Sequence, residues 1–139
     1  MSTTIRAQLV TKNPYYLEKH RYYELKHFCL QYPLWQKSLL SLTELKGLDF
    51  HEIIVSDAKT KCDPTAEIAE KRIFYTDRIL MVEETAKETN DVLWNFILKA
   101  VSYELSYNYL KLKMNIPCCK DKYYELYRKF FWLLSQKRQ

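Results

Sequence analysis

The sequence predicts an all-α protein, a compact helical domain with a long central helix and a C-terminal helix-turn-helix. Gly47 is the only glycine among 139 residues, and hairpin-rich β folds draw on glycine for the positive-φ positions of their turns. Apolar residues make up 47% of the chain and charged residues 28%, a balance that allows a buried core. Apolar residues also recur at helical spacing through most of the long segments.

Prolines divide the first half of the chain into helices. Asn13 followed by Pro14 predicts an N-cap and a first-turn proline. Pro33 predicts the end of that helix, and a shorter helix is predicted over residues 34–45. Residues 47–62 break the helical pattern, and we expect a loop there that packs its apolar side chains on the core.

A long central helix is predicted over residues 64–89, with Asp63 as its N-cap. Apolar residues in this helix recur every seven positions, which is typical of a seam that packs on another helix. The seam fits either an intramolecular contact or a homodimer. It consists of Ile68, Tyr75 and Val82 and, beside them, Arg72, Ile79 and Ala86.

The chain is accordingly divided near residue 62. Residues 1–62 are predicted to form an N-terminal helical segment that packs on the core. Residues 63–139 are predicted to hold the long helix and the C-terminal helix-turn-helix. We expect the two parts to form one continuous domain.

The last third of the chain has the layout of a helix-turn-helix. Helices are predicted over residues 91–104, 107–114 and 119–135, with Ser106 as the N-cap of the short middle helix. Asn115 stands where a left-handed residue is needed, and Asn tolerates that conformation second best after Gly. In such a unit the middle helix holds the last helix in place, and the last helix enters the major groove of DNA.

Apolar spacing predicts which residues pack this unit. Tyr109 and Leu110 are predicted to pack the middle helix, together with Ile116 in the turn. The last helix is expected to turn one apolar face to the core. That face consists of Tyr123, Leu126 or Tyr127, Phe130, and Leu133 or Leu134.

Charge points to nucleic acid as the partner of the last helix. Residues 111–139 carry a net charge of +6 and residues 47–110 a net charge of −5. A basic terminal segment is typical of contact with a polyanion, although a solvated lysine-rich helix gives the same pattern. Residues early in the last helix would lie nearest the bases, and later ones would meet phosphates. The candidate DNA-binding residues are Lys120, Asp121, Lys122, Tyr124, Arg128 and Lys129.

These segments carry a resemblance to a known group of proteins. Residues 106–110, 116–118 and 123–134 resemble the C-terminus of small Firmicutes prophage proteins. Residues 63–66 are similar to the start of a long helix in those proteins and in the RinA/ArpU-like phage late transcription regulators. The resemblance implies a sigma-factor-like helix-turn-helix, control of phage late genes, and RNA polymerase as a further partner.

Several other classes of function are not indicated. No apolar run approaches the ~18 residues of a membrane span, and the N-terminus lacks the apolar core of a signal peptide, so we expect a cytoplasmic protein with no membrane partner. The adjacent Cys118 and Cys119 indicate free thiols in a reducing compartment. His27 and Cys29 would face different sides of a helix. We therefore expect no enzymatic activity, no metal site and no cofactor.

The sequence thus predicts a prophage-derived DNA-binding protein that regulates transcription of phage genes. Its expected partner is double-stranded DNA, and the helix over residues 64–89 is a candidate homodimer contact. Two alternatives stay open at this point. One is a packaging or assembly protein similar to a terminase small subunit. The other is a helical interaction factor, directed against the host or its defences, that does not bind DNA.

Overall fold

Helices make up the regular structure of the described chain. The computed structural model describes residues 14–47 and 64–138, with side chains for residues 14–42 and 65–138. These residues contain no strand, which confirms the all-α prediction, and none of their helices is both long and apolar enough to cross a membrane. The helices are α1 (Lys19–Leu30), α2 (Tyr32–Gly47), α3 (Pro64–Thr89), α4 (Trp94–Tyr103), α5 (Tyr107–Met114) and α6 (Lys120–Lys137).

Helix α1 begins later than its sequence signals predict. Pro14 lies in a turn and the helix starts at Lys19, so the prediction of a first-turn proline is wrong. The carboxylate of Glu18 caps the helix by accepting hydrogen bonds from the amides of His20 at 3.0 Å and Arg21 at 3.2 Å. These two bonds satisfy amides that have no partner inside the first turn. Asn13 lies outside the described residues.

Pro33 starts a helix instead of ending one. Helix α1 ends at Leu30, Gln31 is its C-cap, and α2 begins at Tyr32. Pro33 therefore lies in the first turn of α2, where a missing amide proton costs no intrahelical hydrogen bond. The central helix α3 starts at Pro64 and ends at Thr89 as predicted. Asp63 and the predicted loop from residue 48 onward lie outside the described residues.

The described residues group into two compact units. One unit consists of residues 14–32 and 81–138, and the other of residues 33–47 and 64–80. In the second unit, Trp35, Leu42 and Ile79 are buried. The domain division predicted near residue 62 stays a prediction.

Three helices form the core of the first unit. Helices α1, α4 and α6 pack on one another in all three pairings. Each contributes one buried stripe, and full burial of a large apolar side chain such as Leu or Phe contributes about 1.5–3 kcal/mol. The buried residues are Tyr22, Leu25, Phe28 and Cys29 on α1, Ile97, Ala100, Val101 and Ser102 on α4, and Tyr123, Leu126, Tyr127, Phe130, Phe131 and Leu134 on α6.

Aromatic rings join α1 to α6. The ring of Phe131 meets the rings of Tyr22 at 5.2 Å and Tyr127 at 5.0 Å, in both cases edge to face. Such pairs contribute about 0.5–1.5 kcal/mol beyond their buried area. The hydroxyl oxygens of Tyr22 and Tyr127 lie 3.4 Å apart. Burial raises the pKa of Tyr22 to about 12, because the tyrosinate anion loses its hydration there.

Polar contacts fix the C-terminal end of α6. The guanidinium of Arg21 on α1 donates hydrogen bonds to the carbonyl oxygens of Ser135, at 3.3 Å, and of Arg138. Lys137 forms an ion pair with Glu88 of α3 at 2.8 Å. The unpaired carbonyls at the end of a helix thereby gain donors from α1.

Burial of the tyrosine hydroxyls predicts that the folded protein loses stability at alkaline pH. An unfolded tyrosine titrates near pH 10, whereas Tyr22 keeps its proton up to about pH 12. The unfolded chain therefore releases protons first, and stability that is complete below about pH 10 falls as the pH rises towards 12. Urea unfolding across this pH range measures the effect. The Tyr22→Phe variant is expected to show a shallower decline, and an unchanged slope would contradict the burial of this hydroxyl.

Candidate nucleic-acid interface

Two residues in the left-handed conformation, neither of them a glycine, end the two helices that precede α6. Glu104 closes α4 with φ 55°, and Asn115 closes α5 with φ 52°. In both places the left-handed residue and its successor donate amide protons to one carbonyl, that of Ala100 after α4 and that of Leu110 after α5. The left-handed conformation predicted for Asn115 is confirmed. That of Glu104 was not predicted, because Glu has no special tolerance for positive φ.

The short helix α5 is built mostly as its sequence predicts. It runs from Tyr107 to Met114, and the Ser106 hydroxyl accepts a hydrogen bond from the Tyr109 amide at 3.2 Å. Leu110 is fully buried, but the side chain of Tyr109 is 46% exposed. The prediction that Tyr109 packs the unit is wrong, because successive helical residues point about 100° apart and Leu110 takes the inward direction.

The turn between α5 and α6 is held by contacts from α5. The hydroxyl of Tyr107 donates to the carbonyl oxygen of Cys118 at 2.7 Å, and its ring lies 5.5 Å from the ring of Tyr123 on α6. The ammonium of Lys111 donates to the Ile116 carbonyl at 3.4 Å, and Ile116 is fully buried as predicted. Spacing alone did not single out Tyr107, because its contacts depend on the path of the turn.

Helix α6 begins beside this turn with an exposed polar segment. Cys119 is its N-cap, without a side-chain capping bond. Lys120, Asp121 and Lys122 follow and are exposed. Asp121 lies in the first turn, where a carboxylate is favoured by the positive end of the helix dipole. Tyr124 is half-buried, with its ring 5.0 Å from that of Tyr123 and nearly perpendicular to it.

The later candidate residues are less accessible. Arg128 and Lys129 are half-buried, one to two turns further along α6. The Nε of Arg128 is buried and has no hydrogen-bond partner within the described residues. The structure thus places all the candidates on one helix, and it separates them into an exposed beginning, up to Lys122, and a half-buried continuation from Tyr124 onward.

The lysines of this segment are not neutralised by the acids around them. Lys120, Lys122 and Lys129 form no ion pair within the described residues, whereas Lys26 and Lys137 of the same unit are paired with glutamates. A lysine already held by a carboxylate contributes little to binding an outside anion. The three unpaired lysines keep their full charge for such a partner.

Helix α5 supplies additional positive charge. On α6 itself, the exposed Asp121 and Glu125 lower the net charge of the surface, although they form no ion pair with its lysines within the described residues. Lys111 and Lys113 are also exposed, and α5 has no acidic residue. Burial raises the pKa of the Cys118 thiol, and the nearby ammonium groups of Lys111 and Lys122 oppose that rise, which places both lysines beside the turn. The predicted site was confined to the last helix and so left out Lys111 of α5.

The three cysteines that the structure describes show no metal-binding arrangement. Cys29 is buried, Cys118 half-buried and Cys119 exposed, and all three are free thiols. Burial raises the pKa of Cys29 well above its ordinary value. Within residues 14–42 and 65–138, no group of three or more histidine, cysteine or carboxylate side chains is placed to hold a metal ion.

Comparison of the chain with protein-family models, with curated proteins and with solved structures finds no match. The shape and charge of helix α6 suggest a use for the site. The major groove of B-DNA is about 12 Å wide and admits one α-helix. Helix α6 has a buried apolar face and an exposed, lysine-bearing first turn, a combination that allows groove insertion without disturbing the core.

Asn115 provides a test of the turn that positions α6. Replacement by alanine adds the steric cost of a left-handed β-carbon without the local hydrogen bonding of asparagine, and it is expected to cost about 1 kcal/mol. Replacement by glycine removes that steric cost and is expected to be neutral or stabilising. Thermal unfolding of both variants measures the difference. Equal stability of the two would contradict the left-handed turn.

Proposed function

We propose that this protein binds double-stranded DNA through a helix-turn-helix made by α4, α5 and α6, and that it regulates transcription of phage genes. The exposed first turn of α6, with unpaired Lys120 and Lys122, is the observation that carries the proposal. The resemblance of residues 60–138 to prophage proteins supports phage genes as the genes that it regulates. RNA polymerase is the proposed further partner.

The proposed roles follow from distance along α6. Lys120 and Lys122 approach the DNA first, and Asp121 between them can accept a hydrogen bond from a cytosine amino group in the major groove. Tyr124 offers a ring edge and a hydroxyl next to them. Arg128 and Lys129 lie further along the helix and are half-buried. Their proposed role is to contact phosphates at the rim of the groove.

Self-association through α3 belongs to the same proposal. Two copies of a helix-turn-helix bind two half-sites about one helical turn of DNA apart, so a dimer gains both affinity and specificity. Ile73 and Leu80 on α3 are exposed apolar residues at heptad spacing. They also favour the second candidate, a packaging or assembly protein, because a ring of subunits needs such contacts.

Charge reversal at the start of α6 tests the DNA contact. The double variant Lys120→Glu/Lys122→Glu is expected to lose about a hundredfold or more in affinity for duplex DNA, because phosphate contacts dominate non-specific binding. Fluorescence anisotropy with a labelled duplex at low and moderate salt gives the affinity and its salt dependence. Both positions are exposed, so circular dichroism is expected to be unchanged.

A matched control keeps the net charge change the same. The variant Lys37→Glu/Lys71→Glu reverses two exposed lysines in the second unit and is expected to retain most of the affinity. Equal loss in the two variants would show that overall charge, and not α6, carries binding. No duplex binding by the unaltered protein at low salt would exclude the proposed function.

A further inference from the structure

Two exposed surfaces of this chain are complementary in charge and in apolar content. One lies on α5 and is called the basic face, and the other lies on α3 and is called the acidic stripe. The basic face consists of Tyr109, Leu112 and Lys113, and the acidic stripe of Glu70, Ile73, Asp77 and Leu80.

The basic face leaves a large apolar side chain in water. Leu112 is 79% exposed. Leu112 and Lys113 lie three and four residues after Tyr109, so both share one side of α5 with that residue. Lys113 forms no ion pair within the described residues. Phosphates offer no apolar surface to Leu112, so a DNA backbone would not remove it from water. A protein partner with apolar groups and carboxylates matches this face.

The acidic stripe has those properties. Ile73 and Leu80 are 60% and 44% exposed and lie two turns apart, about 10.5 Å. Glu70 and Asp77 are exposed next to them, and neither forms an ion pair with a described residue. The exposed fractions show that no described residue of the same chain covers Ile73 or Leu112.

We propose that the basic face is covered by the acidic stripe of a second copy of this chain. Ile73 and Leu80 of one copy pack on Leu112 and Tyr109 of the other, and the carboxylates of the stripe meet Lys113. Because the two surfaces differ, the contact forms either twice in an isologous dimer, in which each copy's basic face meets the other's acidic stripe, or once between successive copies of a heterologous ring. The inference gives the self-association in the proposed function a defined contact, and it does not require DNA binding.

Sedimentation velocity of the full chain at rising concentration tests the contact. The unaltered protein is expected to associate, and more weakly at high salt. Leu112→Gln and Ile73→Gln are each expected to weaken association about tenfold or more, as for an apolar residue central to an interface. Val92→Gln is the matched control, because Val92 is 73% exposed but lies outside both surfaces. An unaltered protein that stays monomeric at every concentration would overturn the inference.

A charge exchange distinguishes this contact from any other. Asp77→Lys and Lys113→Asp each place like charges opposite one another, so each variant alone is expected to be monomeric. Mixed in equal amounts they restore opposite charges in both directions, and association returns. A mixture that stays monomeric contradicts the contact. Duplex binding by the unaltered protein is measured in parallel. A mixture that stays monomeric while the unaltered protein binds duplex overturns this inference alone, and a mixture that associates while the unaltered protein binds no duplex overturns the proposed function alone.

Discussion

Burial of the aromatic face of α6 against α1 and α4 is the interaction on which the rest of the structure depends. Tyr123, Tyr127, Phe130 and Phe131 are all buried, and the face that they form fixes the rotation of α6 about its axis. Because a helix repeats every 3.6 residues, this rotation turns Lys120 and its neighbours outward. The proposed interface is thus a consequence of core packing. Moving the apolar residues to another side of α6 would rotate the helix and would change the direction of the lysines as well.

Because glycine is scarce in this chain, residues that carry a β-carbon occupy the left-handed positions in the turns before α6. Glu104 and Asn115 both adopt positive φ, and each carries a β-carbon that glycine would lack. The strain is small for Asn. For Glu104 it is offset in part by the ion pair of its carboxylate with Lys26 on α1 at 2.8 Å. The same residue therefore ends α4 and ties that end to the helix on which the core is built.

Local sequence signals predicted some elements and missed others for identifiable reasons. The start of α3 followed from Pro64, and both ends of α5 followed from Ser106 and Asn115, because these residues act on the backbone next to them. The start of α1 did not, since its cap is Glu18, a residue outside the usual N-cap preferences. Contacts distant in sequence, such as Arg21 with the end of α6, depend on tertiary packing, which helical spacing does not reveal. The same limit left Lys111, whose ammonium reaches the turn before α6, out of the predicted site.

The central claim is that the first turns of α6 and the adjoining turn are the surface that meets DNA. Hydrogen–deuterium exchange, with and without a saturating duplex, tests it most directly because each peptide reports its own backbone. The account predicts slowed exchange over residues 115–125 and no change over residues 34–42 of α2. Unchanged exchange over residues 115–125 in the presence of the saturating duplex would contradict it.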